Sequence, residues 1–84
     1  MVQLKRDDYE MILPALRGPL RKRLKESAHE NSSGVNFVDE IAGEVYDALM
    51  EYITQYGFDR EYNITPRGRT LELIGDSILD QLGE

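Results

Sequence analysis

The sequence contains no cysteine, a single histidine and no apolar run long enough to cross a membrane. Without thiols the chain can form neither a disulfide nor a thiolate metal site, and it suits a reducing cytoplasm. Charged residues near the amino end interrupt any apolar core that a signal peptide would need. The sequence therefore predicts a cytoplasmic protein with no membrane partner.

The scarcity of catalytic side chains argues against an enzyme. Nucleophilic catalysis needs a nucleophile, a base and an orienting group held together. His29 is the only imidazole, and most of the serines lie near it in a polar segment. We therefore predict no enzymatic activity, no catalytic residues and no cofactor.

One short segment imitates the start of a calcium loop. Asp59, Glu61 and Asn63 have the spacing of its first three ligands. The loop's glycine position is occupied by Ile64, however, and its final glutamate position by Thr70. The sequence therefore predicts no metal site here.

Charge is distributed unevenly along the chain, which carries a net charge of -6. Residues 1–25 hold seven basic and three acidic side chains, whereas residues 26–84 hold three basic and thirteen acidic ones. The acidic majority would repel nucleic acid and anionic membranes and attract a basic protein. A basic protein is therefore the predicted partner, and nucleic acid is disfavoured.

The longest regular pattern runs from Val35 to Gly57 and predicts one amphipathic helix. Asn36 is its predicted N-cap, and Gly57 is expected to adopt the left-handed conformation past its end. Apolar residues recur at intervals of three or four, the spacing of one helical face. They are Val38, Ile41, Ala42, Val45, Leu49, Tyr52, Ile53 and Tyr56.

The flanking segments predict further helices. Pro14 and the pair Gly18-Pro19 interrupt the apolar stripe of residues 7–25, which leaves either one bent helix or two short ones. Residues 29–34 are polar and are predicted to be a linker. In the last segment Thr65 is a predicted N-cap and Pro66 a first helical residue.

Gly75 lies in the apolar face of the last helix, which predicts a close helix crossing. No segment of four or more residues shows the alternation of a strand. The predicted fold class is therefore all-α: a compact bundle of three to four helices that forms a single domain over residues 1–84.

A row of carboxylates on the central helix is the main candidate binding site. Its members are spaced by four, three and four residues, opposite the apolar face. Such a row is either a solvated surface or a docking strip for a basic partner. Apolar side chains beside it would supply the centre of an interface with a charged rim. The predicted protein-binding residues are Glu40, Glu44, Asp47 and Glu51 of the row, with Tyr46, Met50 and Leu73.

The run from Tyr56 to Gly68, followed by residues 71–74, resembles the carboxyl-terminal portion of small acidic helical immunity proteins. These proteins bind and neutralise bacterial polymorphic or contact-dependent toxins in the producing cell. The resemblance implies a bacterial toxin inhibitor. Tyr62, Ile64, Thr65 and Gly68 also match a pattern that resembles one in winged-helix regulators, which implies DNA binding.

Three hypotheses follow. The first is a small acidic protein-binding module that inhibits or sequesters a basic protein, such as a toxin. The second is a small helical, winged-helix-like transcriptional regulator whose basic segment 17–25 contacts DNA through Arg21, Lys22, Arg23 and Lys25. The third is a homodimer that buries Leu73 and Leu79.

Overall fold

The computed structural model describes residues 1–83 and combines helices with a small sheet. The chain begins with strand β1, continues through two short helices and a hairpin, and ends with two long helices. The elements are β1 (Val2–Leu4), α1 (Arg6–Ile12), a 3-10 turn (Leu13–Ala15), α2 (Gly18–Ser27), β2 (His29–Asn31), β3 (Gly34–Phe37), α3 (Asp39–Tyr56) and α4 (Pro66–Gln81).

The predicted all-α class is wrong, because the three strands form an antiparallel sheet in the order β1-β3-β2. Val2 lies opposite Phe37 and Leu4 opposite Val35, and all four side chains are buried in the core. Each strand has only three or four residues. Alternation over so few positions is a weak signal, and the pairing joins segments far apart in sequence. The fold is mixed α and β.

The predicted linker 29–34 forms strand β2 and the turn of a β-hairpin that β3 completes. Asn31 lies opposite Gly34, and the Asn31 side chain accepts a 2.7 Å hydrogen bond from the backbone N–H of Ser33. Gly34 has φ of 140°, and a Cβ atom there would lie 2.2 Å from the carbonyl oxygen of Leu4. The polar composition indicates the turn but not the pairing of the strands on either side of it.

Helix α3 begins at Asp39 rather than near Val35, because Val35 and Phe37 belong to β3. The predicted N-cap Asn36 also lies in that strand, and Val38 takes the N-cap position. The predicted inner face is confirmed between Ile41 and Ile53, whereas Val38, also predicted to lie on it, is 45% exposed. The buried residues of α3 are Ile41, Ala42, Val45, Leu49 and Ile53.

At the other end of α3, Gly57 packs closely against the backbone of Gly68 and does not adopt the left-handed conformation. Gly57 has φ of -85°, so the prediction for its conformation is wrong. A Cβ atom on Gly68 would lie 2.8 Å from the Cα of Gly57, so neither backbone could approach the other if Gly68 carried a side chain. Tyr56, placed on the core face by its spacing, is exposed.

Residues 6–27 form two helices joined by a 3-10 turn that contains Pro14. Arg21 of α2 reaches back to this turn. Its guanidinium donates hydrogen bonds to the carbonyl oxygens of Leu13 (2.9 Å) and Leu16 (2.8 Å). The bend is therefore fixed by a side chain that also belongs to the basic segment.

The predictions for α4 are confirmed at its start and at its crossing with α3. The Thr65 hydroxyl accepts a 3.0 Å hydrogen bond from the backbone N–H of Gly68, and Pro66 opens the helix. At Gly75 an added Cβ atom would lie 2.6 Å from Cε of Met50. None of the described helices is long and apolar enough to cross a membrane.

Candidate functional site

The predicted carboxylate row lies on the outside of α3 as expected. We call Glu40, Glu44, Asp47 and Glu51 the acidic row. All four are exposed, on the side of the helix opposite its buried residues. The structure thus brings these four side chains together, although it does not leave all of them without partners.

Glu44 is held by Arg23 of α2. The guanidinium donates two hydrogen bonds to the carboxylate, one to each oxygen, at 2.9 and 2.7 Å. These hydrogen bonds lower the pKa of Glu44 and raise that of Arg23. The pair therefore joins α2 to α3 through the middle of the acidic row.

Glu51 is held much more loosely. Arg17, the residue before α2, makes one contact of 3.3 Å with a single oxygen of the Glu51 carboxylate. The Arg17 side chain remains 82% exposed. An exposed pair with one long contact contributes little to stability, so Glu51 remains accessible to another cation.

Glu40 and Asp47 have no ion pair within residues 1–83. The acidic row therefore contains one firmly paired carboxylate, one loosely paired carboxylate and two that face solvent alone.

The three predicted apolar neighbours of the row do not share one surface. Tyr46 and Met50 are half-buried and pack around Gly75, where α3 crosses α4. Leu73 is 54% exposed. It stands two residues from buried Leu71 and two from Gly75, which places it on the opposite side of α4. A binding role for these side chains stays a prediction.

A groove beside the carboxyl-terminal half of α3 was not foreseen. It lies between the 3-10 turn and α3 and has a volume of about 330 Å³. We call it the tyrosine groove. Its floor and rim include Ala15, Arg17, Ala48, Glu51, Tyr52 and Tyr56.

The two tyrosines of this groove form an aromatic pair. Their ring centroids are 5.0 Å apart with a tilt of 47° between the planes. The guanidinium carbon of Arg67 lies 5.9 Å from the centre of the Tyr52 ring. The spacing of four residues correctly indicates that the two tyrosines are neighbours on α3. It also predicts that both lie on the core face, whereas Tyr56 is 65% exposed.

In the segment that imitates a calcium loop, the first carboxylate is bound to backbone N–H groups of the same segment. The Asp59 carboxylate accepts hydrogen bonds from the backbone N–H groups of Glu61 (2.8 Å) and Asn63 (3.0 Å). Tyr62 between them has φ of 65° and is 86% exposed. Within residues 1–83 no group of three or more acidic, histidine or cysteine residues is arranged to hold a metal ion.

The basic segment of α2 is largely occupied inside the molecule. Arg21 holds the 3-10 turn, whereas Arg17 and Arg23 contact the acidic row. Lys22 and Lys25 are exposed and form no ion pair with any described residue.

Comparison of the chain with protein-family models, curated proteins and solved structures finds no match.

Proposed function

We propose that this protein is a small cytoplasmic binding module that inhibits or sequesters a basic protein. The observation that carries the proposal is the exposed acidic row, in which Glu40 and Asp47 have no internal counter-charge among the described residues. Exposed charges on a rigid helix raise the rate at which an oppositely charged partner is encountered.

The composition of α3 supports a role beyond solvation. Its 18 residues include five carboxylates and no basic side chain. Glu40 and Glu44 are four residues apart, as are Asp47 and Glu51, and like charges at this spacing destabilise a helix. No basic residue of α3 offsets this repulsion, and Glu44 and Glu51 pair only with Arg23 and Arg17 from outside the helix. The retained repulsion favours a binding role.

A toxin is the partner class that we propose, on the resemblance of residues 56–68 to immunity proteins. Because immunity proteins act by binding, this resemblance also leads us to propose binding rather than catalysis. Inhibition of a basic protein requires a complementary surface and no reacting group.

The proposal can be tested with a partner captured from the source cell and a pair of charge-matched variants. Asp47→Lys changes the acidic row, whereas Asp76→Lys makes the same change at an exposed position in the middle of α4. We expect Asp47→Lys to slow association by about threefold or more at low ionic strength, and Asp76→Lys to have a smaller effect. Added salt should reduce the difference.

Two outcomes would contradict the proposal. One is a partner that is itself acidic. The other is an association rate that does not change with Asp47→Lys or with salt.

A DNA-binding regulator is the second candidate, because a hairpin follows the basic helix α2 and because Lys22 and Lys25 are exposed. Both lysines could approach phosphates. Arg21 is held by the 3-10 turn and Arg23 by Glu44, which leaves few cations for this purpose. Fluorescence anisotropy with duplex DNA at low salt tests the candidate. Binding that falls in Lys22→Ala/Lys25→Ala would support it, and no binding would remove it.

Self-association through α4 is the remaining hypothesis. Leu73 is exposed and Leu79 is half-buried, so the outer side of α4 offers little continuous apolar area. Light scattering at high concentration tests this hypothesis, and a monomer mass would remove it.

A further inference from the structure

We infer that the tyrosine groove receives an arginine side chain of the basic partner, which displaces Arg17 from Glu51. This inference rests on the proposed function and identifies the part of α3 that would hold the partner after encounter.

The shape of the groove suits one long side chain. Ala15 and Ala48 contribute only methyl groups, which leaves open space between the 3-10 turn and α3. Its volume of about 330 Å³ is at the lower end of the range for ligand pockets, about 300–1,000 Å³. The apolar floor would cover the methylene stem of an arginine, and the charged head would remain at the rim.

Once Arg17 has moved away, the carboxylate that remains at the rim favours a cation. Glu51 supplies a carboxylate, and the groove lies beside the carboxyl-terminal half of α3, where the helix dipole is negative. The last turn of α3 contains no basic residue to offset that dipole. A guanidinium at this position would meet both the carboxylate and the dipole.

The rings select arginine over lysine. The chain already places one guanidinium, that of Arg67, over the Tyr52 ring at 5.9 Å. Tyr56 is 65% exposed, so its ring is accessible to a second one. A planar guanidinium stacks face to face on an aromatic ring and donates in its own plane to a carboxylate, whereas a lysine ammonium has no planar face to stack.

Arg17 is the side chain that a partner would replace. Its one contact with Glu51 is 3.3 Å long, compared with the two short hydrogen bonds between Arg23 and Glu44. Most of the Arg17 side chain is exposed, so its displacement would cost little packing. The loose pair can therefore be exchanged for a stacked arginine of the partner.

The experiment is a titration of the full-length, ¹⁵N-labelled protein with the blocked tripeptide acetyl-Gly-Arg-Gly-amide, followed by amide NMR shifts. The matched control peptide carries citrulline, which has the same shape and no charge. We expect saturable shifts at Ala48, Glu51 and Tyr52 with the arginine peptide alone. Arg17→Ala should lower the Kd about threefold because it removes a competitor, and Glu51→Gln should raise it by a similar factor.

Two further variants separate the charge of the groove from its shape. Ala48→Met fills the floor without changing charge and should abolish the shifts. Asp76→Asn removes a carboxylate on α4 and should leave the Kd unchanged. The spectrum of each free variant shows whether it is folded.

Equal shifts with both peptides, shifts away from the groove, or weaker binding in Arg17→Ala would each overturn the inference. The proposed function fails by a different result. If the arginine peptide does not bind the groove but Asp47→Lys still slows the captured partner, the acidic row acts without this groove. If the peptide binds but Asp47→Lys changes nothing, the arginine site stands and the proposed function is wrong.

Discussion

Glu44 and Glu51 are the same residue type on the same side of the same helix, yet the structure uses them differently. Each faces an arginine contributed by α2 or by the residue before it. Arg23 binds Glu44 with two short hydrogen bonds, whereas Arg17 makes one long contact with Glu51. We call Glu44 with Arg23 the closed half of the acidic row, and Asp47 with Glu51 the open half; Glu40 has no ion pair among the described residues.

The surroundings of the two arginines explain the difference. Arg23 is inside α2, one residue before buried Leu24, so its backbone is fixed against the core. Arg17 is the N-cap of α2 and borders the space left by Ala15 and Ala48. The Arg17 side chain is 82% exposed, so little packing holds it in place. The comparison shows that charge spacing alone does not reveal which carboxylates of a row are free.

The largest expected effect comes from removing the packing beneath the closed half. Leu24 is the buried residue of α2, and Leu24→Ala should lower the free energy of unfolding by about 2–5 kcal/mol. Urea denaturation measures this change. The matched variant Leu20→Ala, at a half-buried position, should cost clearly less. Equal losses would show that Leu24 does not hold α2 in place.

Double-mutant cycles would measure the difference between the two ion pairs. The cycle of Arg23→Ala with Glu44→Ala should show a coupling energy above experimental error, because two hydrogen bonds are lost together. The cycle of Arg17→Ala with Glu51→Ala should show coupling within error. Both are obtained from urea denaturation at low and high salt. A larger coupling for Arg17 and Glu51 would reverse the assignment of the two halves.

The smallest expected effect is on proton binding at Glu44. Its pKa is lowered in the folded protein by the hydrogen bonds from Arg23, so Arg23→Gln should raise it. Because the folded pKa lies below that of the unfolded chain, the pair stabilises the fold at neutral pH. That stabilisation should disappear as pH falls through the folded pKa of Glu44. NMR of the side-chain carboxyl carbon measures the shift, and an unchanged pKa in Arg23→Gln would contradict this account.

The sequence was informative where structure depends on nearby residues. The buried face of α3, the Thr65 cap and the close crossing at Gly75 all follow from local spacing and local hydrogen bonds. The pairing of β1 with β3 joins residues more than thirty positions apart and leaves almost no local pattern. Short strands of this kind depend on tertiary contacts that single-sequence patterns do not contain.

In the candidate site, too, local spacing was informative and long-range contacts were not predictable. Helical spacing was enough to place the acidic row on one exposed side of α3. The arginines that pair with it come from a segment 21 and 34 residues away, so the division into two halves required the folded structure. The tyrosine groove was hidden for another reason. Tyr56 continues the apolar spacing of α3 past Ile53, the last buried residue of the helix, whereas Tyr52 packs against the core and also lines the groove.

The most direct test of the central claim is the footprint of a captured basic partner on the ¹⁵N-labelled protein, measured by amide NMR. We predict that the largest changes fall along the outer side of α3, with Asp47 and Glu51 more affected than Glu44. Changes should extend to Tyr52 and Ala15 in the tyrosine groove. A footprint confined to α2 and the β2–β3 hairpin, or to the outer side of α4, would contradict the claim that α3 binds the partner.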